Sequence, residues 1–162
     1  MKISLVNKVA LITGGATGIG KGIAKALSDS GATVIITSRN KKNINDTLKI
    51  LNNSCFGYNT DLSKSKNIEI LYKKIKKKFK RVDILVNNIG HTLNIKNPFA
   101  NVTEWKKVMD LNFFTSVDVT NKFIKDMKKK NWGRIINITS IAGIEISGPS
   151  TFNASKAALT AY

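Results

Sequence analysis

The chain has 162 residues, 42% of them hydrophobic, which is enough for one domain spanning residues 1–162 with a real core and too little for several. Its 27 Lys and Arg outnumber 10 Asp and Glu, for a net charge of +17, and it holds one Cys and one His. A lone cysteine excludes an internal disulfide, and the first apolar run, set among Lys2, Asn7 and Lys8, is too short for a signal-peptide core or a membrane span, so a cytoplasmic protein with no membrane partner is expected.

Residues 9–13 form a short apolar run of strand type, Gly14-Gly15-Ala16-Thr17-Gly18-Ile19-Gly20 follows at once, and residues 21–27 have helical spacing. Strand, glycine turn and helix in that order bring the backbone close to a pyrophosphate, whose charge then meets the unpaired N–H groups at the helix start. Gly31-Ala32 ends that helix, and residues 33–37 read as a second buried strand, completing a βαβ unit. Helices are expected at 41–52, 63–79 and 103–130, strands at 55–59, 82–87 and 134–138, and a last helix from about Ser150. The alternation predicts an α/β fold on a parallel sheet, with no linker or repeat. Loops 94–98 and 147–151 both follow carboxyl ends of strands, where open α/β sheets bind ligands.

The spacing Thr13-Gly14-x-x-x-Gly18-x-Gly20 differs from the commoner G-x-G-x-x-G and resembles the nucleotide loop of the short-chain dehydrogenase/reductase family. Further matches come in family order. Asp61-Leu62 after the third strand resembles the adenine-side aspartate, and Asn87-Asn88-Ile89-Gly90 resembles the Asn-Asn-Ala-Gly motif at the end of the fourth. Asn112 stands where the family keeps a helix asparagine, and the run from Gly133 to Ser140 is similar to a fifth strand leading to the catalytic serine. The resemblance covers the chain from Lys8 onward. It implies a Rossmann-like, doubly wound, three-layer sheet with strand order 3-2-1-4-5, of which the family's last strands are missing here. The chain is therefore read as a truncated or incomplete member.

The resemblance also implies the site. Gly14, Thr17, Gly18, Ile19, Gly20, Asp61, Leu62, Asn88 and Gly90 would bind a nicotinamide dinucleotide, and Asn112, Ser140 and Lys156 would serve catalysis, with Lys156 also on the nicotinamide ribose. In the family the serine holds the substrate oxygen, a tyrosine transfers the proton, the lysine lowers the tyrosine pKa, and the asparagine supports a water relay. Phe152 occupies the tyrosine position, four residues before Lys156. It has the ring and lacks the acidic hydroxyl. The implied reaction is hydride transfer between the cofactor and a carbonyl or secondary alcohol, with 3-oxoacyl, ketone or sugar-type substrates all open. A catalytically impaired nucleotide-binding pseudoenzyme and a non-functional fragment are the alternatives. A homo-oligomer is expected of a full-length relative, and no metal site is expected.

Cofactor choice follows from the end of the second strand. Enzymes using NAD usually place Asp or Glu there for the ribose 2′-hydroxyl, whereas this chain reads Thr37-Ser38-Arg39-Asn40. Ser38 can donate a hydrogen bond and Arg39 can grip a 2′-phosphate, so NADP(H) is favoured over NAD(H).

Plainer roles compete at several positions. Arg39 could be an exposed loop arginine, Ser140 a cap, Asn112 a helix residue bonded to nearby backbone, Lys156 a solvated lysine, and Phe152 and Leu159 a shared core face. His91 could lie near the nicotinamide or be a bonded loop histidine, and Cys55 reads as a small core residue. The lysines between Lys73 and Lys80, with Arg81, and those at 128–130 invite a nucleic-acid reading. They fall on the polar side and at the ends of helices whose apolar stripe is Ile68, Leu71, Ile75 and Phe79, without interleaved aromatics, so a solvated face is expected and nucleic acid is not.

Overall fold

A computed structural model describes residues 3–52, 54–145 and 147–162, so Lys2 lies outside the described residues. Five strands, β1 (Val9–Ile12), β2 (Thr33–Ser38), β3 (Cys55–Asn59), β4 (Ile84–Asn87) and β5 (Arg134–Asn137), form one all-parallel sheet in the order 3-2-1-4-5. The helices are α1 (Gly18–Asp29), α2 (Lys41–Leu48), α3 (Ser65–Phe79), α4 (Val102–Met109), α5 (Thr115–Lys129) and α6 (Ser150–Ala161). The expected Rossmann-like order is thus observed.

Alternation along the strands makes two cores. Leu11, Ile35 and Leu85 point to one face, where Ile68, Leu71 and Ile75 of α3 and Val119, Phe123 and Met127 of α5 cover them. Ala10, Ile12, Val34, Ile36, Ile84 and Val86 point to the other, beneath Ala24 of α1 and Ile44 of α2. Strands apolar on both faces can be buried only between two helix layers, which is why this sequence takes three layers. On α3 the lysines at 73, 74, 77 and 78 are exposed opposite that stripe.

Several boundaries move by a few residues. The second helix ends at Leu48 rather than 52, as Ile50 and Leu51 donate to carbonyls three residues back in a tightening turn. The third starts at Ser65 rather than 63, because Asp61 accepts both the N–H and the hydroxyl of Ser63 and holds that turn out of the helix. The fourth strand starts at Ile84 rather than 82. The helix expected over 103–130 begins at Val102 with a capping box between Asn101 and Glu104, and it is two helices joined by a π turn, Asp110–Phe114.

Neither Cys55 nor β3 is fully buried, since β3 is a sheet edge. The other edge, β5, leaves Ile135 36% and Ile136 44% exposed. Among the described residues no helix is long and apolar enough to cross a membrane.

Candidate active site

The glycine loop leaves β1 and enters α1 as the spacing requires. Gly14 and Gly18 have φ of +63° and +51°, conformations that side chains resist. Gly20 is held for a different reason: a Cβ there would stand 2.5 Å from the Asn88 Nδ2 and 2.6 Å from the Gly14 carbonyl oxygen. Asn88 is the tie between β4 and this loop. Its Nδ2 donates to the carbonyls of Thr13 (3.0 Å) and Gly14 (3.1 Å), and its N–H to the Thr13 Oγ1 (3.0 Å). The Gly14 N–H donates in turn to Thr37 Oγ1 at 3.2 Å. These two threonine hydroxyls were not singled out by sequence reasoning, although Thr13 borders the glycine motif.

The N-terminus of α1 is suited to an anion. Thr17 makes no side-chain cap bond, no acidic residue lies in the first turn, and Thr17, Gly18 and Ile19 are exposed. No atom beyond the neighbouring backbone approaches within 4 Å of where a Gly18 Cβ would be, so the backbone there is open to close approach. A nicotinamide dinucleotide fits this donor set: the free first-turn amides and the Thr17 hydroxyl suit a pyrophosphate.

A cleft of about 250 Å³ runs along the carboxyl edge of the sheet, and Gly14, Thr17, Ser38, Arg39, Asp61, Leu62, Asn88 and Gly90 all line it, with His91. Eight of the residues expected at a cofactor therefore come together, while Ile19 projects to solvent and Gly20 is buried beneath Asn88. At the far end, Arg39 and Asp61 also border a second groove of about 540 Å³ with Tyr58, Asn67 and Lys74. Partial burial would push the Asp61 carboxyl up, but the two Ser63 bonds and the charges of Arg39 and Lys64 hold it below its ordinary value. Burial pushes the Tyr58 hydroxyl up. The Ser38 Oγ accepts from the Asn40 N–H at 3.1 Å, which leaves its proton available to donate.

The three expected catalytic residues arrive from three elements. Asn112 is fully buried in the π turn, where its Oδ1 accepts the His91 N–H (2.9 Å) and its Nδ2 donates to the carbonyls of His91 (2.9 Å) and Val108 (2.8 Å). The extra residue in that turn is what swings an otherwise helical asparagine onto the β4 loop, and no pattern in the sequence signalled it. Ser140 caps the short 3₁₀ turn Ile141–Gly143, its Oγ accepting from the Ala142 N–H at 3.2 Å. Lys156 of α6 is 4% exposed, not a solvated lysine, and its Nζ donates to the Ile138 carbonyl at 2.8 Å. Burial lowers its pKa from the ordinary lysine value.

Gly90 joins these parts. A Cβ on it would lie 2.9 Å from Asn112 Oδ1 and 2.9 Å from Lys156 Nζ. A Cβ on Gly143 would lie 2.7 Å from the Lys156 backbone carbon, so the Ser140 turn packs directly on α6 at the lysine. Phe152, one turn before Lys156, places its ring centroid 5.8 Å from Nζ. It is part-buried, whereas Leu159 is 1% exposed, so the core face of α6 runs instead through Thr151, Ser155 and Leu159. Tyr162 is 48% exposed and rests edge-on against Phe113, with centroids 6.0 Å apart. The His91 Nδ1 accepts the Leu93 N–H at 2.8 Å.

A glycine-loop βαβ unit, a parallel 3-2-1-4-5 sheet and an Asn-Asn-x-Gly turn meeting a buried lysine are the architecture of the short-chain dehydrogenase class. The chain belongs to the short-chain dehydrogenase family, whose model matches residues 8–162. It is similar to an uncharacterised oxidoreductase of Staphylococcus epidermidis, 33% identical over 155 residues that cover 95% of this chain and 67% of the relative. An uncharacterised oxidoreductase of Staphylococcus saprophyticus is 34% identical, over 97% of this chain and 69% of its own. Among solved structures, a 7α-hydroxysteroid dehydrogenase complexed with NADH and 7-oxo glycochenodeoxycholic acid superposes with TM-score 0.91 at 29% identity, covering 99% of this chain and 64% of that one. The Pseudomonas aeruginosa RhlG complex with NADP superposes with TM-score 0.86 at 31% identity, over 98% and 65%. The chain thus spans about two thirds of the length of the proteins it matches.

Proposed function

We propose that residues 1–162 are a single nucleotide-binding domain of an NADP(H)-dependent oxidoreductase acting on a carbonyl or secondary alcohol, as a cytoplasmic protein and a homo-oligomer. The observation that carries this reading is the cleft in which the uncapped start of α1 and Arg39 face the Asn88–Gly90 turn that leads to Asn112 and Lys156. When bound, the reduced cofactor supplies a hydride to the carbonyl carbon. Thr17 and the first amides of α1 bind the pyrophosphate, Ser38 and Arg39 the 2′-phosphate, Asp61 and Leu62 the adenine, and Lys156 the nicotinamide ribose. Asn112 orients the turn after β4 through the two His91 bonds, and the Ser140 hydroxyl orients the substrate oxygen.

Arg39 with no carboxylate from Thr37 to Asn40 favours NADP(H) over NAD(H). Fluorescence titration of the folded chain with NADPH and NADH tests the reading: NADPH should bind more tightly, and Arg39→Ala should remove most of the difference. Equal affinities in the parent would defeat the NADP assignment, and binding of neither nucleotide would defeat the oxidoreductase reading.

Phe152 favours a second reading, a nucleotide-binding protein without turnover. It predicts tight NADPH binding and no reduction of ketones, 3-oxoacyl thioesters or oxidised sugars.

A further inference from the structure

Reduction of a carbonyl needs a proton as well as a hydride, and Phe152 cannot give one. The other acids near the cleft are poorly placed for it. Tyr58 lines the groove at the Arg39 end, Tyr162 leans on Phe113, and His91, whose Nδ1 accepts the Leu93 N–H, would have to give up that bond to become the imidazolium acid. The Ser140 hydroxyl is an alkanol, far too weak an acid for the task.

Lys156 has the position. Its Nζ lies beside the Gly90 backbone, 5.8 Å from the centre of a ring that bears no hydroxyl, and it uses one proton on the Ile138 carbonyl, leaving two. No carboxylate among the described residues forms an ion pair with it. On the elements packed against it the titratable groups are His91 after β4, Asp110 of the π turn, Glu145 after the 3₁₀ turn, and Glu104, Lys106 and Lys107 of α4, and all but the part-buried Glu104 are exposed. A buried ammonium without a counter-ion is destabilised relative to the neutral amine, so giving up a proton relieves the cost of its burial.

We propose that in this chain Lys156 is itself the general acid, delivering a proton from Nζ to the substrate oxygen in place of a residue-152 hydroxyl. The proposal rests on the oxidoreductase reading above. As hydride from the reduced nicotinamide nucleotide adds to the carbonyl carbon, the C=O π pair moves onto oxygen. One N–H bond of Lys156 breaks and an O–H bond forms. The alcohol leaves with both electrons of the hydride, the nucleotide is oxidised, and the neutral amine, still donating to Ile138, regains its proton from water.

Two measurements test it. The first needs no cofactor: the chain is labelled with lysine carrying ¹³C at Cε, the Lys156 resonance is assigned by its loss in Lys156→Arg or Lys156→Gln, and it should titrate at lower pH than the other lysines. The second is reduction by NADPH of a small panel, ethyl acetoacetate, diacetyl and cyclohexanone. Arginine keeps the charge but does not release its proton, so Lys156→Arg, assayed at saturating NADPH because Lys156 also holds the ribose, should lose about 10²-fold or more of the rate, and adding Phe152→Tyr should restore it. Lys156→Arg that reduces as fast as the parent, or a Lys156 signal that titrates with the surface lysines, would overturn the assignment. NADPH binding by the parent with no reduction on the panel would overturn it too, while leaving the cofactor reading intact; no binding of either nucleotide would sink both.

Discussion

Asn112 closes both ends of its amide on the backbone of His91, accepting the His91 N–H at 2.9 Å and donating to the His91 carbonyl at 2.9 Å. A side chain 21 positions away thus satisfies the turn after β4 from inside the π turn, with a third bond to Val108 at 2.8 Å. Replacing Asn112 by Ala would leave three backbone groups without that partner, and burial makes each costly. We expect a loss of roughly 3 kcal/mol in urea unfolding. Asn112→Asp should be no milder, because a carboxylate oxygen would then face two carbonyls. An effect below ~0.5 kcal/mol in either variant would show that the asparagine does not hold this turn.

Gly90→Ala should disturb both the fold and the site. The added methyl would stand 2.9 Å from both Asn112 Oδ1 and Lys156 Nζ, and of the two Asn112 is pinned by three bonds and Lys156 by one. The lysine should yield. The expected outcome is a stability loss of about 1–3 kcal/mol together with NADPH binding weakened about tenfold. Unchanged affinity would mean that the lysine position does not matter to the nucleotide.

Lys156 should also mark the pH dependence of stability. Its folded pKa is depressed by burial, so between that value and the ordinary lysine pKa near ~10.4 the unfolded chain binds more protons than the folded one. Stability contributed at this position therefore rises with pH through that window and is lowest below it. Lys156→Met should be more stable than the parent near neutral pH, by a margin that shrinks as pH rises toward the lysine range. A margin independent of pH, measured by denaturant unfolding in parallel series, would refute the assignment of the shift.

At the sheet edge, Ile135 and Ile136 of β5 expose apolar surface beside a row of strand N–H and C=O groups. We expect this chain of 162 residues to self-associate at high concentration, and Ile136→Lys to reduce the association by placing a charge on the edge. Sedimentation velocity that finds the parent monomeric across the concentration range would contradict this.

What could be read from the sequence alone was set by neighbours in the chain. The period-2 and period-3.6 apolar patterns, the glycine spacing from Gly14 to Gly20 and the Asn-Asn-Ile-Gly turn are local signals that specify the five strands and the α1 entry, and the family resemblance those motifs carry implied the 3-2-1-4-5 order observed. The absence of a carboxylate after β2 was equally plain, as was the ring without a hydroxyl at Phe152. Tertiary structure decided the rest. Only the packing of α4, α5 and α6 shows that the helix carrying Asn112 opens into a π turn, that Gly90 must be small because two distant side chains meet over it, and that Lys156 is buried rather than solvated. Each of these depends on contacts between residues far apart in the chain, where no pattern of neighbours can register the close approach that sets a bond or a pKa.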